Sequence, residues 1–211
     1  MTRGFVVLAA CYGMAIAGMN GVSSARAANI IEEWASVKAP PAPALKPVTV
    51  DPKTTALLML DFLPSNCGAR PRCMATIPAV KTLLTEARAK GVSVIYSLFG
   101  NNTPADILKD VAPAANEPWV RTFADKFLNT DLEKMLKDKG IQTVILVGTA
   151  AHGAVLYTGS GAGLRGLNVI VAVDGISSAD AYPEQFSVWQ LANGPTFSNK
   201  VTLTKTDMIK F

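Results

Sequence analysis

Few side chains in this sequence can do chemistry, and their scarcity narrows what it can do. There is one imidazole, His152, and there are three cysteines, Cys11, Cys67 and Cys73. That set is too small for a Cys/His zinc site of ordinary spacing, and the expectation is of a protein with no cofactor. Asp61 closes the apolar run 54–62 (TTALLMLDF), where a buried strand delivers an acid to the edge of a sheet. His152 lies in the turn Gly148-Thr149-Ala150-Ala151-His152-Gly153-Ala154 behind a second apolar run. An imidazole there serves equally as a turn residue or as a substrate contact. Gly161-Ala162-Gly163-Leu164-Arg165-Gly166 spells the dinucleotide fingerprint G-x-G-x-x-G. That fingerprint works only directly between a strand and a helix start. Here the preceding strand ends near Val147, so the glycines belong to helix packing and a helix cap, and no dinucleotide is expected.

The elements that must position these residues alternate. Residues 54–62, 92–98 (VSVIYSL), 143–147 (TVILV), 168–173 (NVIVAV) and 201–203 read as strands, most of them apolar throughout. Residues 79–90, 130–139, a stretch between Val147 and Asn168, and 184–192 read as helices, the first two stopped by Gly91 and Gly140. Residues 119–123 read as a short strand or a loop. The pattern predicts an α/β fold, a three-layer, doubly wound, mostly parallel sheet with helices on both faces. Ligands of such sheets bind at the carboxyl ends of strands, which points to Asp61, the 98–102 loop, Arg121 and the 148–154 turn.

The chain has 211 residues, 49% of them hydrophobic, enough for a packed core and too many for disorder. Its net charge of +4 is scattered and only 7% of residues are aromatic, so no nucleic-acid partner is expected. Arg3, the apolar stretch 5–19 and Ala25-Arg26-Ala27 have the order of a secretory signal cleaved after Ala27. A buried first helix is one alternative, and a lipoprotein box at Leu8-Ala9-Ala10-Cys11 is another. The expected organisation is a signal peptide at 1–27, an extended proline-rich lead-in at 28–50 and one domain at 51–211. The mature product has no stable membrane span and is exported, to the periplasm in the first reading, secreted or lipid-anchored in the others. Cleavage leaves 18 basic and 16 acidic residues, a net charge of +2, and only two cysteines. In an oxidising compartment Cys67 and Cys73 are a disulfide candidate, the alternative being two free thiols.

From Val48 to Leu203 the chain resembles the isochorismatase-like hydrolase superfamily, which includes nicotinamidases, carbamoylsarcosine amidases and isochorismatases. Ala56-Leu57-Leu58-Met59-Leu60-Asp61 resembles the family's first strand with its catalytic aspartate. Residues 121–132 (RTFADKFLNTDL) resemble its K-x-x-x-S-A-F-x-x-T-x-L segment. Gly140-Ile141 with 143–149 resembles the helix end, strand and turn leading to the nucleophile. Residues 154–166 align on C-V-x-x-T-x-x-x-A-x-x-x-G through Val155, Thr158, Ala162 and Gly166. Val173-Asp174 falls where the family has an acid after the next strand. The resemblance implies a small-molecule substrate and a Rossmann-like topology, and relatives often form homo-oligomers.

Two departures qualify what it implies. The family's amidases use an Asp-Lys-Cys set, of which Asp61 is matched. Register with Phe127, Thr130 and Leu132 puts Arg121 at the lysine position, and Ala154 stands at the nucleophile position. Lys126 falls where the family has a small alanine, and reaches the site only if that loop is rebuilt. An alanine methyl forms no covalent intermediate, and a guanidinium stays charged at neutral pH, so cysteine-type amidase chemistry is not expected. True isochorismatases resemble this chain in the Ala-His pair, here Ala151-His152, before a small residue. They cleave a vinyl ether with the aspartate as acid and water as nucleophile. Ala151, His152, Gly153 and Lys126 are therefore expected on the substrate side. An arginine against Asp61 would hold it as carboxylate, which opposes that acid role. The metal motif of nicotinamidases is absent from residues 97–102 (SLFGNN). Two functions stand: a hydrolase acting through Asp61 and water, or a catalytically degenerate relative that binds a small ligand in the old pocket.

Overall fold

The computed structural model describes Met1 and residues 29–211, as two units, Met1–Pro40 and Pro41–Phe211. Apart from Met1, the expected signal segment lies outside the described residues. In the first unit a single helical turn, α1 (Ile30–Glu33), interrupts the expected extended lead-in. Its cause is local. The Asn29 side chain accepts from the backbone N–H of Ile31 at 3.0 Å and of Glu32 at 3.3 Å, while the Glu32 carboxylate accepts from the Asn29 N–H.

The second unit runs β1 (Val48–Thr49), β2 (Thr55–Leu60), α2 (Pro71–Ala89), β3 (Ser93–Leu98), β4 (Trp119–Arg121), α3 (Leu132–Asp138) and β5 (Thr143–Thr149). It continues with α4 (Leu156–Leu164), β6 (Asn168–Ser177), α5 (Ala181–Asn193), β7 (Val201–Thr204) and β8 (Ile209–Lys210). Six strands form one parallel sheet in the order β4-β3-β2-β5-β6-β7, and β1 pairs with β8 separately. The end of the lead-in is thus part of the fold, since Lys46 and Val50 also donate their N–H groups to Leu203 and Lys210. α2 starts at Pro71, earlier than the expected residue 79. Pro71 suits the first helical turn, and Pro78 is carried inside the helix rather than opening it.

Every residue of β2 is buried, as a central strand covered on both faces must be. Alternation along the strands divides the core. Leu57, Met59, Val94, Tyr96, Ile145 and Val147 join the layer of α2. Leu58, Leu60, Ile95, Val144 and Leu146 join the layer of α3, α4 and α5. At the carboxyl end of β5, Gly148 adopts φ +140°, and a Cβ there would lie 2.2 Å from the Leu60 carbonyl oxygen. Only glycine lets β5 leave the sheet this close to β2. Gly161 and Gly163 lie within α4, packed against Asp125, Phe127 and Phe197 rather than facing a nucleotide cradle, and Gly166 follows the helix at φ +86°.

Candidate active site

Asp61 is the residue immediately beyond β2, and its backbone takes the left-handed conformation at φ +55°. Short polar residues tolerate that region best, and positions held there concentrate at functional sites. Leu60 pairs with Ser97 on β3 and with Gly148 on β5, so Asp61 stands between the exits of both neighbouring strands. The Asp61 carboxylate is almost wholly buried and carries one partner on each oxygen. Ser97 Oγ donates to Oδ1 at 2.7 Å, and Lys126 Nζ donates to Oδ2 at 2.8 Å.

The lysine is fully buried, and its remaining donors go to the carbonyl oxygens of Thr122, at 3.0 Å, and Phe123. The segment between β4 and α3 is wound so that residue 126 turns inward. Its backbone N–H donates to Thr158 Oγ of α4, and its carbonyl accepts from Thr130 Oγ. Lys126, not Arg121, therefore meets Asp61. Arg121 ends the edge strand β4, one strand further from β2, and its exposed guanidinium lies over the Trp119 ring and donates to the Asn102 carbonyl. The expected pairing of Arg121 with Asp61 is corrected by this geometry. Apolar anchors such as Phe127 and Leu132 fixed the register, but they do not reveal which cation the intervening loop folds inward.

Burial pushes the Asp61 carboxyl above the usual carboxylate range, opposed by the Lys126 charge and by the Lys126 and Ser97 hydrogen bonds. Burial likewise lowers Lys126, with Asp61 opposing. The hydrogen bonds accommodate both proton positions. An ammonium places three N–H groups on Asp61, Thr122 and Phe123. A neutral amine keeps the two carbonyls and accepts from a protonated Asp61.

The turn after β5 brings the other expected residues to the same sheet edge. Ala151 and Ala154 are buried in the α3–α5 layer, and Gly153 donates its N–H to the Ala150 carbonyl. His152 is exposed, with Nδ1 3.0 Å from Ser178 Oγ, and the same hydroxyl accepts from the Ala151 N–H at 3.1 Å. A groove of about 640 Å³ runs between α4 and α5, lined by His152, Leu156, Tyr157, Ser160, Tyr182 and Phe186 among others. Asp174 does not join these residues, since its carboxylate accepts from Thr206 N and Oγ at 2.8 Å each. Ser97 and Ser178 were not foreseen. Each is a serine at a strand exit, a position whose meaning depends on its neighbours in the sheet. Cys67 and Cys73 form a disulfide, joining the turn after Asp61 to the first turn of α2. Among the described residues no three His, Cys, Asp or Glu side chains converge to hold a metal ion. No helix among them is long and apolar enough to cross a membrane.

An isochorismatase domain matches residues 55–205, and the chain belongs to that family of isochorismatase-like hydrolases. It is similar to a secreted isochorismatase effector of Verticillium dahliae, with 29% identity over 117 residues. That match spans 50% of this chain and 62% of the relative, so the chain spans less than two thirds of the curated relative. Solved structures share the fold. A cysteine hydrolase from Pseudomonas syringae superposes with a TM-score of 0.67 at 20% identity, over 78% of this chain and 94% of that one. An isochorismatase-like hydrolase from Alkaliphilus metalliredigens gives 0.66 at 21%, over 73% and 87%.

Proposed function

We propose that this protein is an exported hydrolase that cleaves a vinyl ether of a small molecule, with Asp61 as acid and water as nucleophile. The observation that carries the reading is a buried carboxyl raised by desolvation and bonded to Ser97 and Lys126, beside a turn with alanine at the family's nucleophile position. Protonated Asp61 gives its proton to the terminal carbon of the vinyl group, leaving an oxygen-stabilised cation. Water adds to that cation and returns a proton to the Asp61 carboxylate. The hemiketal then collapses to a ketone and an alcohol, so that substrate plus water equals products. Lys126 restrains the carboxyl and holds the alternative site for its proton. The step needs no sulfur, which suits Ala154.

Export is supported by the signal-like sequence at 1–27, by the Cys67–Cys73 disulfide and by the relative described as secreted. Isochorismate is the probe of choice, because the similar fungal protein is described as an isochorismatase. Wild type should release its keto product. Asp61→Asn should lower kcat/KM by about 10²-fold or more. Turnover unaffected by Asp61→Asn would overturn the mechanism. Saturable binding without turnover, lost in the same variant, would instead identify a degenerate binding protein.

A further inference from the structure

We infer that Ser178 is a positioning residue that locks His152 as the neutral tautomer protonated on Nε2, so that the α4–α5 groove presents one N–H donor to an acceptor oxygen on a ring-bearing ligand. Ser178 is fully buried, one residue beyond β6. β6 bulges between its pairings with Leu146 and Gly148, which carries Ser177 beside Thr149 and sets Ser178 against the 150–155 turn. A hydroxyl has one proton to give and two lone pairs to receive with. The Ala151 N–H can only donate, so it occupies a lone pair at 3.1 Å. Among the described residues the sole other partner of Ser178 Oγ is His152 Nδ1, at 3.0 Å. If Nδ1 carried the proton, both contacts would donate to Oγ and the buried hydroxyl proton would have no acceptor. If Nδ1 is bare, the hydroxyl donates to it and every group is satisfied.

The serine is itself fixed. Its N–H donates to Glu184 Oε1 at 2.8 Å, and Glu184 is gripped by the two-pronged guanidinium of Arg72 from α2. With Nδ1 engaged, Nε2 is the ring nitrogen left for the groove. Its walls there are Leu156, Tyr157, Ser160, Tyr182, Phe186 and Gln190, none of them charged. Such a lining suits an uncharged ring face with a carbonyl, ether or hydroxyl oxygen placed to accept from the imidazole.

The tautomer assignment stands on geometry alone, whereas the ligand class rests on the function proposed above. A long-range ¹H–¹⁵N spectrum of the protein at pH 8.5 decides the first, because the chain has a single histidine. A pyridine-type Nδ1 and a pyrrole-type Nε2 are expected. A protonated Nδ1, or an even mixture, would overturn the inference even if isochorismate is turned over. Ser178→Ala should give mixed tautomers, with KM for isochorismate raised about tenfold and kcat within about threefold, the pattern of lost binding rather than lost chemistry. Ser178→Thr, which keeps the hydroxyl, should restore the spectrum. If Ser178→Ala does not fold, the wild-type spectrum still decides. Absence of turnover with the expected spectrum would refute the proposed reaction while leaving the tautomer in place.

Discussion

Replacing Lys126 by methionine tests the buried pair most directly. Methionine keeps the length of the aliphatic stem and removes the charge, together with the three donations to Asp61, Thr122 and Phe123. The side chains of the pair are 0% and 6% exposed, so solvent screens little of the interaction. Removing one partner of such a pair typically costs about 3–5 kcal/mol. For a domain of this size that corresponds to a fall in Tm of about 6–20 °C. The sign of the pH dependence follows from Asp61. Its folded pKa is already raised, and losing Lys126 removes the main opposition and raises it further. A carboxyl raised above its unfolded value of about 3.9 contributes stability below that pH and loses it as pH climbs through the folded value, at about 1.4 kcal/mol per unit. The deficit of Lys126→Met against wild type should therefore be smallest near pH 4 and grow toward neutrality. Urea titrations at four pH values from 4 to 7 measure it. Asp61→Asn combined with Lys126→Met should cost less than the two single changes added together. A single variant within about 1 kcal/mol of wild type at pH 7, or strict additivity, would refute the reasoning.

Arg121→Ala should leave turnover within about twofold and stability within about 1 kcal/mol, because its partners are an exposed ring and one carbonyl. A loss comparable to Asp61→Asn would return Arg121 to the site. Ala154→Cys should create the one alkylatable thiol beside the paired Cys67 and Cys73, and iodoacetamide should label it more slowly than an ordinary surface cysteine, since residue 154 is buried. Labelling as fast as a surface thiol would mean that the 151–155 turn opens to solvent. Gly148→Ala forces a methyl against the Leu60 carbonyl and should cost more than about 3 kcal/mol, read as loss of soluble protein or a collapsed urea midpoint. Thiol titration of mature protein under denaturing, non-reducing conditions should find neither Cys67 nor Cys73 free, and reduction should lower stability by about 2 kcal/mol.

The layered sheet could be read from the sequence because its strands are buried on both faces and therefore appear as unbroken apolar runs, from 55–60 through 143–149. Strand ends also placed Asp61 and the 148–154 turn at one edge. What escaped reading depends on contacts between distant segments. β1 and β8 are two-residue strands from opposite ends of the domain, with no local periodicity to reveal them. Lys126 looks like any loop cation, and its burial results from Thr158 and Thr130 closing on its backbone. Ser178 matters because a bulge in β6 sets it against the 150–155 turn. Tertiary placement of polar groups leaves no periodic trace.

The sheet also acts as a bulkhead between two compartments of side chains. Leu83 and Leu84 of α2 lie on one side, in the compartment of the disulfide, while Leu146 and Leu191 lie on the other, with Ala151, Ala154 and Phe127. Truncating a leucine leaves a similar void on either side and costs a similar few kcal/mol. Side chains that share no partner and no void respond independently. Damage behind α2 therefore draws down the stability of the whole domain and reaches the groups around Ala154 only through the strands, the Arg72–Glu184 pair and the disulfide, not through shared side-chain packing. The same loss behind α4 and α5 reaches stability and chemistry together. Tolerance to change and the capacity to alter substrate preference are thus lodged in different halves of one core.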